Sequence, residues 1–352
     1  MAASMTRRTF AKRLALLTAL GGVAGVAGTR DAEAQDLQFF RIGTGTTGGT
    51  YFPIGGLIAS AISRPWGAPP CDQGGSCGVD GLIAVAQASS GSVENVEGVA
   101  TQMIESGLSQ SDIAFWAYTG TGLYAESGPR DNLRAIAHLY NEMVHVVVPA
   151  DSTIQSIEDL RGRRVSLGDE GSGTLIDARA ILEAYGITEA DIDARYLRPE
   201  PASDAMLAGE LDAYLFVGGV PLLAVEDLAR RMPLRLLPFN DETAWQLRSE
   251  LPFFTAAMVP DGAYEGVVPV PTIAVGAMWI THADVDADLV YGLTRALWHP
   301  STHTLLQNGH ARGRDIRIEN ALRGLVIPLH EGASRYYREV GLLSEVLDDT
   351  LP

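Results

Sequence analysis

The chain has 352 residues, room for two ordinary domains and a substantial core. It carries 26 basic against 43 acidic residues, and its 46% hydrophobic share excludes a disordered chain. Its only lysine is Lys12, so the rest of the chain can hold no Walker A lysine, no Schiff-base lysine for pyridoxal phosphate and no S-x-x-K pair.

Residues 1–34 read as an export signal. A basic head, Thr6-Arg7-Arg8-Thr9-Phe10-Ala11-Lys12-Arg13, precedes an apolar run from Leu14 to Thr29 and an exit at Ala32-Glu33-Ala34. The apolar run is too short to span a bilayer. Its adjacent arginines match the twin-arginine route, with an ordinary secretory signal as the alternative. Beyond residue 34 the chain holds 21 basic and 41 acidic residues. Such a chain repels nucleic acid and anionic lipid. It carries no later segment suited to stable membrane insertion, so the expected location is the periplasm.

The remaining chain alternates short apolar strands with amphipathic helices, the signature of an α/β fold with mainly parallel sheets. A strand near Leu37 to Gly43 leads to a helix near Pro53 to Arg64. Next comes a Gly- and Pro-rich stretch with Cys71 and Cys77, expected to form a disulfide clasp in an oxidising compartment. A metal site there would need more ligands, and no histidine is near in sequence. The formal G-x-S-x-G from Gly74 to Gly78 lacks the preceding strand that a nucleophile elbow requires.

A strand from Leu82 to Ala88 then feeds a helix from Val93 to Glu105, and a short strand at Leu108 feeds a helix from Ile113. Two consecutive strands follow, Leu133 to Tyr140 and Val144 to Pro149. A second series begins with Arg164 to Leu167 and a helix from Thr174 to Tyr185. It continues with Ala213 to Val217, a helix from Leu222 to Arg231, and Leu234 to Leu237. The extended run Thr272 to Ile280 is followed by helices, including Asp286 to Trp298.

The chain is expected to change lobes at 133–149 and 272–280. The first lobe then comprises 35–143 and 272–352, and the second lobe, 144–271, is inserted into it. Two such lobes enclose a cleft at the carboxyl ends of their strands.

Three loops look built for a small anion: Gly43-Thr-Gly-Thr-Thr-Gly-Gly-Thr-Tyr51, Ser89-Ser-Gly-Ser-Val-Glu-Asn95 and Gly168-Asp-Glu-Gly-Ser-Gly-Thr174. Each is a strand end, a glycine and hydroxyl turn, and a helix start, where free amides attract carboxylate or phosphate. The same residues also serve as ordinary helix caps. Gly43, Gly45 and Gly48 spell G-x-G-x-x-G, but no second strand ends in an acid about 20 positions on, and no cofactor is expected.

Catalytic constellations are poor. His299 and His303 are separated by Pro300, which disfavours a regular helix there. Asp169, Glu170, Glu94 and Asp112 sit at loops, where first-turn acids are normal partners of the helix dipole. No catalytic residue is assigned, and the chain is not expected to be an enzyme.

The run Ile42-Gly-Thr-Gly-Thr-Thr-Gly-Gly-Thr-Tyr-Phe-Pro-Ile-Gly55 resembles the opening of the TAXI solute receptors of TRAP transporters. So do Gly91-Ser-Val-Glu-Asn95, Gln110-Ser-Asp112, Val144-His-Val-Val-Val148, Ser166-Leu-Gly with Gly171-Ser-Gly-Thr174, Val217-Gly-Gly219 and Pro328-Leu-His330. The resemblance implies a two-lobed type II periplasmic binding protein with a hinge of crossing strands and a ligand cleft between its lobes. It implies capture of a small carboxylate or amino acid, glutamate-like or a 2-oxo or dicarboxylic acid, and delivery to an ion-gradient-driven TRAP permease.

Matched motif by motif, it places Thr47, Gly49, Thr50, Tyr51, Ser92, Glu94, Asn95, Gln110 and Asp112 on the first lobe's side of the cleft. Ser172, Gly173, Thr174 and Gly218 face them from the second. The cysteine loop departs from the family pattern, and no carboxylate-binding arginine is identifiable; Arg198 reads as a surface residue. The same fold serving an ABC transporter or a sensor kinase is the alternative, and an exported hydrolase a further one.

Overall fold

The computed structural model describes residues 37–344. The expected export signal lies outside the described residues. Strand β1 (Gln38–Gly43), helix α1 (Tyr51–Ile62), the short β2 (Ser63–Arg64) and β3 (Val79–Asp80), and β4 (Leu82–Gln87) come first. Helix α2 (Ser92–Ala100), β5 (Ser106–Gln110) and α3 (Ser111–Thr119) follow, then the 17-residue β6 (Leu133–Pro149). The second series is β7 (Arg164–Ser166), α4 (Gly173–Ala184), β8 (Asp193–Arg195), α5 (Pro199–Leu207), β9 (Ala213–Gly218), α6 (Leu223–Arg231) and β10 (Leu234–Leu236). It ends with α7 (Asp241–Glu250) and β11 (Thr255–Val259). The chain returns through β12 (Val270–His282) to α8 (Ala287–Leu297), α9 (Pro300–Gly309) and α10 (Glu331–Glu339).

These strands form one sheet in the order β3-β2-β4-β1-β5-β12-β6-β9-β7-β8, with β10 on β6 and β11 on β12. The ladders β1/β4, β1/β5, β7/β8 and β7/β9 are parallel, as βα units require. β12 and β6 run antiparallel to each other down the middle, from Ala274 opposite Met143 to His282 opposite Leu133.

Apolar cores lie on either side of this central pair. Phe40, Ile58, Leu108, Ile136, Trp279 and Leu293 belong to one. Val146, Ile181, Leu215 and Ile273 form a second. Tyr214, Leu228 and Val267 form a third, on the opposite face of the second lobe's sheet, as side-chain alternation along β6 and β9 demands. Among the described strands, only β6 and β12 run through both lobes.

Several expectations are corrected. The two strands expected between 133 and 149 are one. Asn141-Glu142-Met143 has the polarity of a turn, yet Asn141 pairs with Gly276 and Glu142 with Val275 in the ladder. The polar residues are there because the strand passes a cleft. Helix α2 stops at Ala100, short of Glu105, because the chain turns through Gln102 at φ 58°. Pro300 does not break a helix between His299 and His303. It is the first residue of α9, where its missing N–H costs nothing, and His299 caps that helix by accepting from Ser301 N. β8, α5, α7 and β11 were not expected from the pattern.

Cys71 and Cys77 are disulfide-bonded, with their Cα atoms 4.8 Å apart. Ser76 donates to the Ala61 carbonyl at 2.7 Å and so serves the loop's anchoring. Among the described residues no helix is long and apolar enough to cross a membrane.

Candidate functional site

The carboxyl ends of β1, β4, β5 and β7 converge between the lobes, so the loops after them meet there. Together they close around a cavity of about 30 Å³. That is room for a water or so, whereas pockets that hold organic solutes run to ~300–1,000 Å³. The lobes are therefore shut on one another, and admitting a solute requires them to move apart.

Of the mapped residues, Gly49, Thr50, Tyr51, Ser92, Gln110, Ser172, Gly173 and Thr174 line this cavity. The first turns of α1, α2 and α4 all face it. No side chain caps α1 or α2. Glu94 N is taken by Gly171 O, but the amides of Tyr51, Phe52, Ser92 and Val93 have no partner among the described residues. Ser172 caps α4 by accepting from Leu175 N. Gly91, which precedes α2, has φ 125°, a conformation that favours glycine.

Gly173 is set by close approach. A Cβ there would lie 1.4 Å from Gln110 Oε1 and 2.9 Å from Ser92 Oγ, both on the opposite lobe. Further bonds cross the gap: Thr50 Oγ1 donates to Gly219 O at 2.9 Å, Glu94 N to Gly171 O at 3.0 Å and Ala224 N to Gly48 O at 3.3 Å.

The other mapped residues sit elsewhere. Thr47 is exposed, and its hydroxyl donates to Glu200 Oε1 across the lobes at 2.9 Å. Glu94 is exposed and accepts from Ser90 N, holding the turn before α2. Gly218 ends β9 against Leu222 and Phe216, outside the cavity lining.

Asn95 is a buried brace. Its Nδ2 donates to Thr44 O at 2.6 Å and Leu108 O at 2.7 Å, and its Oδ1 accepts from Ser89 at 2.8 Å. Asn95→Ala removes both of these amide donors and an acceptor of the Ser89 hydroxyl, and is expected to cost about 2–4 kcal/mol, read from the urea midpoint.

Asp112 lies behind the cavity with no exposure, and neither of its carboxylate oxygens meets a donor. It faces Asp177 of α4, also unexposed, whose Oδ2 accepts from Gln110 Nε2 at 2.7 Å. Burial raises both carboxyls, and Asp112 adds to the rise at Asp177. Two facing carboxyls in a dry interior cannot both ionise, and a shared proton bridges Asp112 to the Asp177 Oδ1 that Gln110 leaves unmet.

Glu142 lines the cavity itself. Burial, with Asp112 adding, pushes it up to about 8. The Tyr51 hydroxyl lies beside Glu142 and Ser92 without closing a hydrogen bond, and Thr46 Oγ1 is also unpartnered. No basic side chain lines the cavity. Arg312 packs against Gly219, and Arg198 is half-exposed on Asp169 at 3.2 Å.

Gly45, Thr46, Ser90, Gly91, Glu142, Phe216 and Val217 line the cavity although the motif mapping does not place them there, and Asp177 stands behind it. Glu142 carried a sequence signal, a charge between two apolar strand halves, that reads equally as a turn.

The fold is similar to that of a solved protein from Bordetella bronchiseptica RB50, at 14% identity over 87% of this chain and 90% of that one, TM-score 0.50. It is also similar to the periplasmic aliphatic sulphonate binding protein SsuA from Escherichia coli, at 15% identity over 89% and 96%, TM-score 0.44. A third is a putative sulfonate ABC transporter's periplasmic sulfonate-binding protein SsuA from Methylobacillus flagellatus KT, at 17% identity over 87% and 88%, TM-score 0.45. Two α/β lobes, crossing strands and an interlobe cleft make this a type II periplasmic binding protein fold. The model of the NMT1-like family matches residues 42–341, and the chain belongs to that family.

Proposed function

We propose that the protein is a periplasmic solute receptor that captures an amino acid or similarly small zwitterion between its lobes and passes it to a membrane permease, without turnover. The observation that carries this reading is Glu142, a buried carboxyl in a cavity lined by free helix amides and no basic side chain. The amides of α1 and α2 attract the solute's carboxylate or sulfonate. Glu142 and the Tyr51 hydroxyl take its ammonium, which supplies the charge that the buried carboxyls lack. A 2-oxo or dicarboxylic acid brings negative charge alone and is disfavoured beside them.

The division into an export signal at 1–34, a first lobe of 35–143 and 272–352 and a second of 144–271 belongs to the same proposal, as does export by the twin-arginine route. For the partner we put an ATP-driven permease, the kind named for the Methylobacillus neighbour, ahead of the TRAP permease that the motif resemblance implies. Transport that stops on ATP depletion, but not on collapse of the ion gradient, supports that order.

The test is thermal denaturation of residues 35–352 against matched pairs: alanine and pyruvate, glutamate and 2-oxoglutarate, taurine and ethanesulfonate. A ligand at a thousand times its Kd adds about 4 kcal/mol to the native state, a shift of several degrees. Only the amine-bearing member of a pair is expected to respond, and Glu142→Gln to lose that preference. An equal response to the amine-free member ends the zwitterion reading, and silence across the panel ends the receptor reading.

A further inference from the structure

A second cavity, of about 520 Å³, lies against the hinge strands and shares no lining residue with the first. Its size is that of a small-molecule site. Its walls come from both lobes: His138 of β6, Ser111 at the head of α3, and Arg312, Asp315 and Arg323 on the first lobe's side, with Phe253 from the second.

In a chain of net charge −17, this cavity is positive. Asp315 pairs with Arg312 at 2.7 Å, and Arg323 makes no ion pair among the described residues. Three polar groups on its lining residues are buried without partners: His138 Nδ1, on a residue 8% exposed, Arg312 Nε and the Tyr140 hydroxyl. Burial, with Arg323 adding, pushes His138 down to about 4, so its ring is neutral and offers one N–H. Each of the three can donate, and buried donors left without acceptors are costly.

We propose that this hinge cavity is a second binding site, for a small organic anion with an apolar body. Arg323 and the Arg312 and His138 donors hold the anionic group, and Phe253 packs on the body. The proposal is independent of what the interlobe cleft binds.

Benzoate is the probe, titrated calorimetrically into residues 35–352. Saturable one-to-one binding is expected, weakened about tenfold or more by Arg323→Met, which removes a charge-assisted hydrogen bond from an exposed residue and leaves the fold intact. Arg248→Met, which removes a charge from the exposed side of α7 outside the cavity lining, is expected to leave benzoate binding unchanged. Absence of saturable binding, affinity untouched by Arg323→Met, or an equal loss of affinity in Arg248→Met each overturns the proposal. A silent cleft panel beside intact benzoate binding overturns the receptor reading alone.

Discussion

Gly173→Ala is expected to weaken solute binding by a hundredfold or more while leaving the open form of the protein folded. The added Cβ would stand 1.4 Å from Gln110 Oε1 and 2.6 Å from Gln110 Cδ when the lobes are shut. To make room, Gln110 must give up its bond to Asp177, and it has no exposed space in which to turn. Stranding a buried donor and a buried carboxyl costs about 3 kcal/mol or more, over a hundredfold in a closing equilibrium.

With the lobes apart the Cβ meets nothing, and Gly173 has no left-handed φ to protect. Alanine is also the better helix former at the start of α4. The loss therefore falls on the shut, binding-competent form, and the empty protein loses at most what closing contributes to it. Calorimetric affinity for the best responder of the matched panel, together with the melting midpoint of the empty protein, checks this. Unchanged affinity would mean that the shut form is not the one that holds solute.

Raising the pH from about 4.5 to about 8 is expected to destabilise the empty, shut protein, and Glu142→Gln to remove most of that effect. Glu142 has an ordinary value near 4.5 when solvated and is pushed up to about 8 when buried between the lobes. A carboxyl raised in this way favours the folded state fully below its solvated value and loses that contribution as the pH climbs through the raised one. The shift corresponds to about 5 kcal/mol at most for a fully buried group. Asp112, raised by burial, and Asp177, raised by burial and by Asp112, act in the same direction.

Melting midpoints measured from pH 5 to 8.5 should therefore fall by several degrees in the wild type. They should fall less in Glu142→Gln, which is expected to be the more stable protein at pH 8.5. A bound ammonium pairs with Glu142 as the carboxylate and should flatten the profile in the same way. A midpoint that climbs steadily with pH would refute this account of the cleft.

What could be read from the chain follows from how locally each feature is encoded. The loops Gly43–Tyr51, Ser89–Asn95 and Gly168–Thr174 declare themselves because glycine, hydroxyl residues and a following helix are neighbours in sequence. Eight of the residues mapped from them and from nearby motifs do line the cavity. Thr47, Glu94 and Asn95 belong to the same motifs, yet they face the rim or the interior. Within a turn the backbone decides which side chain points inward, and composition is silent about that. The strand pair near 141 was misread for a related reason, since a charge between apolar runs marks a turn in most settings and a cleft wall only here.

The sequence by itself determined the α/β class, the alternation of strand, loop and helix, the cysteine clasp and most of the glycine-rich lining, because each depends on contacts within a dozen residues. Only the tertiary structure decided that Asp112, Glu142 and Asp177 face one another, that Gly173 must remain without a side chain, and that His138, Arg312 and Arg323 share a second cavity. Those residues come from segments far apart along the chain. What makes them unusual is the water they lose together, a property that no residue shows until the lobes bring it against the others.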